Sequence, residues 1–271
     1  MKQFIIAVYI LFPLVSAAQE LFVYTEPASN ISTHSLGLRL EQMLMKDKYA
    51  AKNSYYLAPK IGYGLSKNLM VQGGLLFSNV QKGFYLNGGS VNVKYRFLSN
   101  DGIHNHFRMA ASGRYTINNS HIHEYAIDFM MHNSGYEMGI IATQLMNRLA
   151  ISATGSFLHA TDNANGEKYL FGNQLRNAFN YSLSGGILIL PKEYTSYKQA
   201  NLNFMMELLG QSNLHNGFNF LDLAPSLQVI ISSRMRIDLG YRWAVVKKLQ
   251  RSSEDGVLLR GEYNFYNVGH K

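Results

Sequence analysis

From about residue 35 onward the chain alternates apolar and polar positions with a period of two, the signature of strands with one greasy face. The clearest run is RMRIDLGYRWAVV (234–246), where Met235, Ile237, Leu239, Tyr241, Trp243 and Val245 form one series. Arg234, Arg236, Asp238, Gly240, Arg242 and Ala244 form the other, so one face is oily and the opposite face carries three arginines and an aspartate. The same alternation recurs in LMVQGGLLF (69–77), SVNVKYRF (90–97), FRMAASGRYTI (107–117), LAISATGSF (149–157), LNFMMELLG (202–210) and VLLRGEYNF (257–265). Helical periodicity is poor throughout, which makes this an all-β protein.

Strand length separates two kinds of β protein. Soluble strands commonly run to about 5–6 residues, whereas membrane-spanning strands need about 9–11. The segments expected here are nearer ten to fourteen: 55–65, 69–79, 84–98, 105–117, 148–159, 176–190, 200–211, 219–232, 234–246 and 256–267. A bilayer offers no water to an unpaired strand edge, so such a sheet must close. Lipid takes the apolar series and a wet lumen takes the polar one. Tyr55, Tyr63, Tyr95, Tyr115, Tyr241, Trp243, Tyr263 and Phe265 fall on the outward series, mostly toward strand ends, as aromatic girdles would. A soluble barrel or sandwich with an aromatic core is the alternative; strand length and the charged second face argue against it. The expectation is a transmembrane antiparallel up-and-down β-barrel.

Turn chemistry constrains the strand count. LSKNLMV (65–71), LMNRLAI (145–151) and ISSRMRI (231–237) are similar tight turns, each with a basic residue. Short turns belong on the periplasmic side, so an even number of strands must separate each pair. Four fit between residues 147 and 233, but five candidates fall between 68 and 146, because 121–133 and 135–145 both look strand-like. One must merge into a long loop or split, giving twelve or fourteen strands, and twelve suits the chain length better. Pro59 and Pro225 sit inside strand patterns, where proline removes a ladder hydrogen bond, so a bulge or strand end is expected at each.

The N-terminus changes the address. Lys2, the apolar stretch Phe4 to Val15 and the small residues Ser16-Ala17-Ala18 read as a signal peptide over 1–18, too short to span a membrane as a helix. Residues 19–34, which break the alternation, are either a periplasmic lead-in or a small plug folded into the lumen, and 35–271 form the barrel. Composition adds that there is no cysteine, which excludes disulfides, thiolate metal sites and a lipidated N-terminal cysteine. The net charge is +8, but the basic residues are scattered singly along strands, which argues against nucleic acid as a partner. The partners expected are outer-membrane lipid, the barrel-assembly machinery of a Gram-negative cell and a small polar or anionic solute.

VYTEPASN (23–30) followed by SLGLRL (35–40) is similar to the start of a group of transporter-like Bacteroidetes outer-membrane barrels. That resemblance implies location and architecture; it supplies no substrate and no set of functional residues.

The inward series holds the candidate chemistry. Arg39, Lys60, Lys94, Arg96, Arg108, Arg114, Arg236, Arg242 and Arg260 stand against Glu41, Glu207, Asp222, Asp238 and Glu262. Two uses are open: ion pairs that fill a narrow barrel, or a constricted net-positive passage favouring anions. The corresponding functions are porin-like passage of small polar or anionic solutes, and a closed-lumen structural or surface-interaction barrel.

Two further chemistries are weighed. His104, His106, His121, His123 and His132 cluster in sequence. His121 and His123 would share a strand face, but at about 3.3 Å per residue they are far from His104 and His106, and Glu124 would point the other way. They read as loop histidines, and neither a metal site nor a cofactor is expected. His132-Asn133-Ser134-Gly135 resembles the His-x-Ser-Asn-Gly motif of outer-membrane phospholipase A, a twelve-stranded barrel, but lacks the asparagine before the glycine. A base and nucleophile two apart would share a face, yet Asn147 is badly placed as the orienting group and Asn, Ser and Gly are turn formers. No enzymatic activity is expected.

Overall fold

In the computed structural model the described residues are 22–47, 53–80, 83–102, 105–169, 173–192 and 198–269. The signal peptide expected over 1–18, and His104, lie outside them. The strands are β1 (Leu36–Asp47), β2 (Ser54–Gly64), β3 (Leu69–Ser78), β4 (Tyr85–Asp101), β5 (Asn105–Asn118) and β6 (Ser134–Met146). They continue with β7 (Leu149–Thr161), β8 (Asn177–Leu190), β9 (Asn201–Asn213), β10 (Asn219–Ile231), β11 (Met235–Lys247) and β12 (Ser253–Phe265). Each strand pairs antiparallel with its sequence neighbours and β1 pairs with both β2 and β12, so the twelve strands close.

The alternation becomes the barrel wall. On β11, Met235, Ile237, Leu239, Tyr241, Trp243 and Val245 face outward, while Arg236 and Asp238 are buried in the interior. Aromatics fall on two levels of the outer surface. Tyr63 and Phe265 flank Leu36 at one level, while Tyr55 flanks Leu44 and Tyr241 joins that row through Val257 at the other. Eight residues of β1 separate the two levels, or about 26 Å along the strand, the scale of the apolar band of a membrane barrel.

The three short turns lie at one end of the barrel, where β1 begins and β12 ends. The opposite end carries longer connections, above all 119–133 and 162–176. In outer-membrane barrels the end with the short turns is the periplasmic one.

Two sequence expectations need correction. Residues 121–133 are no strand; they form a connection held by side chains, which removes the odd candidate between 68 and 146. Pro59 and Pro225 make neither a bulge nor an end. Pro59 still pairs with Leu40 on β1, while the β2–β3 ladder skips from Leu57↔Phe77 to Lys60↔Gly74 without changing register. Pro225 likewise pairs with Met206, and the β10–β11 ladder skips from Leu223↔Trp243 to Ser226↔Gly240. Losing donors on one side leaves the other ladder intact.

Candidate functional site

The barrel interior is the candidate site, and two inserts occupy it. From the short-turn end, residues 22–35 enter the lumen: Phe22, Val23, Ala28 and Ser35 are almost fully buried. Their backbone has no ladder to join, so side chains of the wall satisfy it. Glu207 on β9 accepts from the amides of Val23, Tyr24 and Thr25 at 2.8, 2.8 and 2.9 Å, and from the hydroxyls of Thr25 and Ser184 at 2.7 and 3.2 Å. The Ala28 amide donates to Thr143 on β6, and Arg260 on β12 donates to the Phe22 carbonyl. The YTEPAS stretch therefore touches strands around much of the circumference. Glycine makes room for it: a Cβ at Gly64 would run into the Ser32 carbonyl, and one at Gly240 would meet the Tyr24 ring.

From the long-loop end, the connection 119–133 folds inward. Gln211, buried on β9, bonds both the amide and the carbonyl of Ile127, at 2.8 and 2.9 Å. Glu124 accepts from the amide and hydroxyl of Ser252 in the β11–β12 connection at 2.7 and 2.8 Å. Asn163 braces the loop from the other long connection, donating to the Ser120 and His132 carbonyls. Glu207 and Gln211 lie four residues apart on the inward face of β9, about 13 Å. Each holds one insert.

A cavity of about 270 Å³ lies between them. Tyr24, Thr25 and Glu26 line one side, Ile127 to Met131 the other, and polar residues of β4–β8 such as Asn92, Ser112, Ser156, Asn180 and Ser182 form the wall. Across the lumen the inserts share an apolar cluster of Phe22, Val23, Met43, Met45, Tyr56, Met131, Met205 and Leu258.

The charged inward residues fall into several groups. Arg236, Glu262, Arg39 and Lys60 face one another in register across β11, β12, β1 and β2. Asp238, Arg260 and Glu41 form the neighbouring row. Within this lattice Arg39 contacts Glu262 at 2.8 Å, Lys60 contacts Glu41 at 2.5 Å, Arg260 contacts Asp238 at 2.5 Å, and Arg236 contacts both Asp238 and Glu262 at 3.1 Å. Asp222 and Arg242 stand apart, joined at 2.5 Å, with Arg251 bonded to the same carboxylate. Lys94 donates to the Pro27 carbonyl at 2.9 Å and lies 3.5 Å from Glu26, which also contacts Arg39 at 2.6 Å. Arg114 faces Glu137 at 3.6 Å beside the cavity. Arg96 and Arg108 belong to the short-turn end, where Arg96 donates to the Lys67 carbonyl and Arg108 contacts Asp101 and Ser29.

Sequence reasoning missed Glu26, Asp128, Glu137 and Arg251 and placed Glu124 facing away. Glu137 alternates correctly on β6, but the other four sit outside strands, where alternation says nothing. The four acids offset much of the inward positive charge, and Arg251 pairs with Asp222.

The histidines differ most from expectation. His121 and His123 do not share a strand face; His121 pairs with Glu167 at 2.9 Å. Glu124 turns toward His132 instead of away, with its Oε1 at 3.7 Å from Nε2. Donor atoms of His123, Glu124 and His132 all lie within 4.8 Å of one another. Burial holds the His132 imidazole below the usual histidine range, against the pull of Glu124. The phospholipase-like pairing does not form. His132 and Ser134 are both buried, Ser134 is bonded to the Asn118 backbone, and neither His132 nitrogen has a hydrogen-bond partner among the described residues.

No family model and no curated protein matches the sequence. Solved structures do. An outer-membrane channel from Pseudomonas putida F1 superposes with a TM-score of 0.58 at 10% identity, over 90% of this chain and 100% of that one. The NanC porin superposes with a TM-score of 0.50 at 10% identity, over 84% of this chain and 98% of that one. At such identity the likeness is one of fold: this chain has the closed barrel architecture found in outer-membrane channels and porins.

Proposed function

We propose that the chain is an outer-membrane channel for small polar solutes, anions among them, whose passage is gated by residues 22–35 and 119–133. The observation that carries this reading is the cavity held between the two inserts, one wall of which is lined by polar side chains. A barrel meant only to be solid has no need of such a chamber, and the polar attachments of both inserts are hydrogen bonds that can be exchanged for water. Glu26 supplies the selectivity argument. It rides on the insert and faces Arg39 and Lys94, so withdrawal of the insert removes negative charge from a wall that keeps its cations, and an opened lumen favours anions.

The second reading is a closed-lumen barrel. The ion-pair lattice over β11, β12, β1 and β2 favours it, because such a lattice also fills a narrow interior.

One double variant separates them. Thr25 Oγ1 lies 2.9 Å from Ser184 Oγ, and the chain has no cysteine of its own. Thr25→Cys with Ser184→Cys therefore locks the insert to β8 by a disulfide when oxidised. Detergent-purified protein, checked for heat-modifiable migration, is placed in planar bilayers. The expected result is silence when oxidised, conductance on reduction, and a reversal potential toward chloride in a potassium chloride gradient. Equal conductance in both states sinks gating by the insert. Silence in both states, and in wild type, selects the closed barrel.

A further inference from the structure

We infer that His123, Glu124 and His132 form a binding site for a divalent transition-metal ion, with zinc the best match. The site is independent of whether the barrel conducts. Three observations carry it.

The first is the unexplained chemistry of His132. Its side chain is fully buried, and neither ring nitrogen finds a hydrogen-bond partner among the described residues. A buried imidazole without partners forfeits about 1–3 kcal/mol of hydrogen bonding, and an unsatisfied group of this kind calls for an explanation. The Glu124 carboxylate does not supply one, because at 3.7 Å from Nε2 it is beyond hydrogen-bond distance. A cation between the two would account for Nε2, with Nδ1 turned away from it.

The second is orientation. Glu124 Oε2 is occupied by the Ser252 amide and hydroxyl, which leaves Oε1 toward His132. His123 Nδ1 lies 3.0 Å from the His121 carbonyl. Donating there fixes the tautomer with the Nε2 lone pair available. Metal-ligating histidines and carboxylates are held by outer hydrogen bonds of this kind. The two imidazole rings meet edge to face, with centroids 4.4 Å apart.

The third is the donor set. Two imidazoles and one carboxylate match the three protein ligands of open zinc sites, and imidazole also suits copper and nickel. The donor atoms lie within 4.8 Å of one another. Two donors about 2.1 Å from a tetrahedral zinc lie about 3.4 Å apart, so closure requires the side chains to draw together by up to about 1.4 Å. Asp47 and Asp128 stand within electrostatic range of His132 and add negative potential. Through Glu124 and Ser252, an ion here would tie the 119–133 insert to the β11–β12 connection.

The test uses the full-length purified barrel, stripped with chelator, titrated with zinc by calorimetry and compared with magnesium. His123, the least buried of the three, is changed in His123→Gln, and folding is checked by heat-modifiable migration. His121→Gln is the control, since that ring belongs to Glu167. The expected result is one zinc per chain, no response to magnesium, affinity reduced at least about tenfold in His123→Gln, the loss that outer-shell partners alone can cause, and no change in His121→Gln. X-ray absorption of the zinc-loaded protein should show mixed nitrogen and oxygen ligation with imidazole scattering. No binding by wild type overturns the proposal. Equal binding by wild type and His123→Gln, or loss in His121→Gln alone, assigns the zinc to adventitious surface histidines and also overturns it.

Discussion

Glu207→Gln tests whether one carboxylate seats the N-terminal insert. Oε1 accepts the Val23 and Tyr24 amides, and Oε2 accepts the Thr25 amide and the Thr25 and Ser184 hydroxyls. Glutamine keeps one acceptor oxygen and replaces the other with a donor. Both hydroxyls can turn around and accept, but the Thr25 N–H cannot, and the bonds that persist lose the charge. A buried donor left unmatched, together with weakened charge-assisted bonds, costs about 3 kcal/mol. That shifts the docked-to-released ratio by about a hundredfold. Because the chain lacks cysteine, Ala28→Cys gives a single reporter at a fully buried position of the insert. Labelling of that thiol by a maleimide proceeds through release, so its rate should rise about a hundredfold when Glu207→Gln is added. The barrel itself should still migrate as folded before boiling. A labelling rate within threefold of the Glu207 background, on a folded barrel, would refute the assignment of Glu207 as the seat of the insert.

Asp222→Asn should lower the urea midpoint of barrel unfolding, because Asp222 is fully buried between Arg242 and Arg251 and its loss leaves two cations facing each other; removing one partner of such a group costs about 3–5 kcal/mol. An unchanged midpoint would mean that water reaches this cluster. Leu40→Arg probes the outside of the wall. Leu40 faces outward on β1, midway between the two aromatic levels, and arginine at the bilayer midplane costs about 2–4 kcal/mol. The same substitution should be nearly harmless if that face meets water, so an unaffected folding yield in lipid vesicles would contradict the membrane orientation.

The barrel was legible in the sequence because the wall strands, a few register shifts aside, obey one rule, an outward-facing residue followed by a lumen-facing one. The inserts were not legible, because they obey a different rule. Residues 121–133 keep an alternation of their own: Ile122, Glu124 and Ala126 are buried every second position. The backbone of 122–127 is held by Glu167, Gln211 and the Gln250 carbonyl rather than by a strand ladder. Period two therefore reports extended backbone with a buried side, and cannot tell a wall strand from a segment lying inside the wall. The sequence did hold signals for the inserts. Met43, Met45, Met205 and Leu258 stand on inward positions where a water-filled lumen would want polar groups, and these residues pack on Phe22, Val23 and Met131. The metal-ligand set was hidden for the opposite reason. Adjacent His123 and Glu124 point apart on any strand, and only the irregular backbone of the loop brings both to His132.

The charges of the interior are best understood as belonging to two bodies. Arg236, Glu262, Arg39 and Lys60, with Asp238, Arg260 and Glu41, are fixed to the wall in facing rows, and most of their pairing survives whatever the inserts do. Glu26 is carried by the N-terminal insert, and Glu124 and Asp128 by the loop. These three acids thus ride on segments that hydrogen bonds attach to the wall. Under the proposed gating, the net-positive passage read from the sequence and the balanced lumen of the structure are two states of one electrostatic system. With the inserts in place the lumen is nearly compensated. With them withdrawn, Lys94 and Arg39 lose the Glu26 carboxylate while Arg114 keeps only Glu137, and the wall recovers the cationic character that its strands alone encode. Chloride selectivity that appears only when the insert is free is the electrical form of that statement.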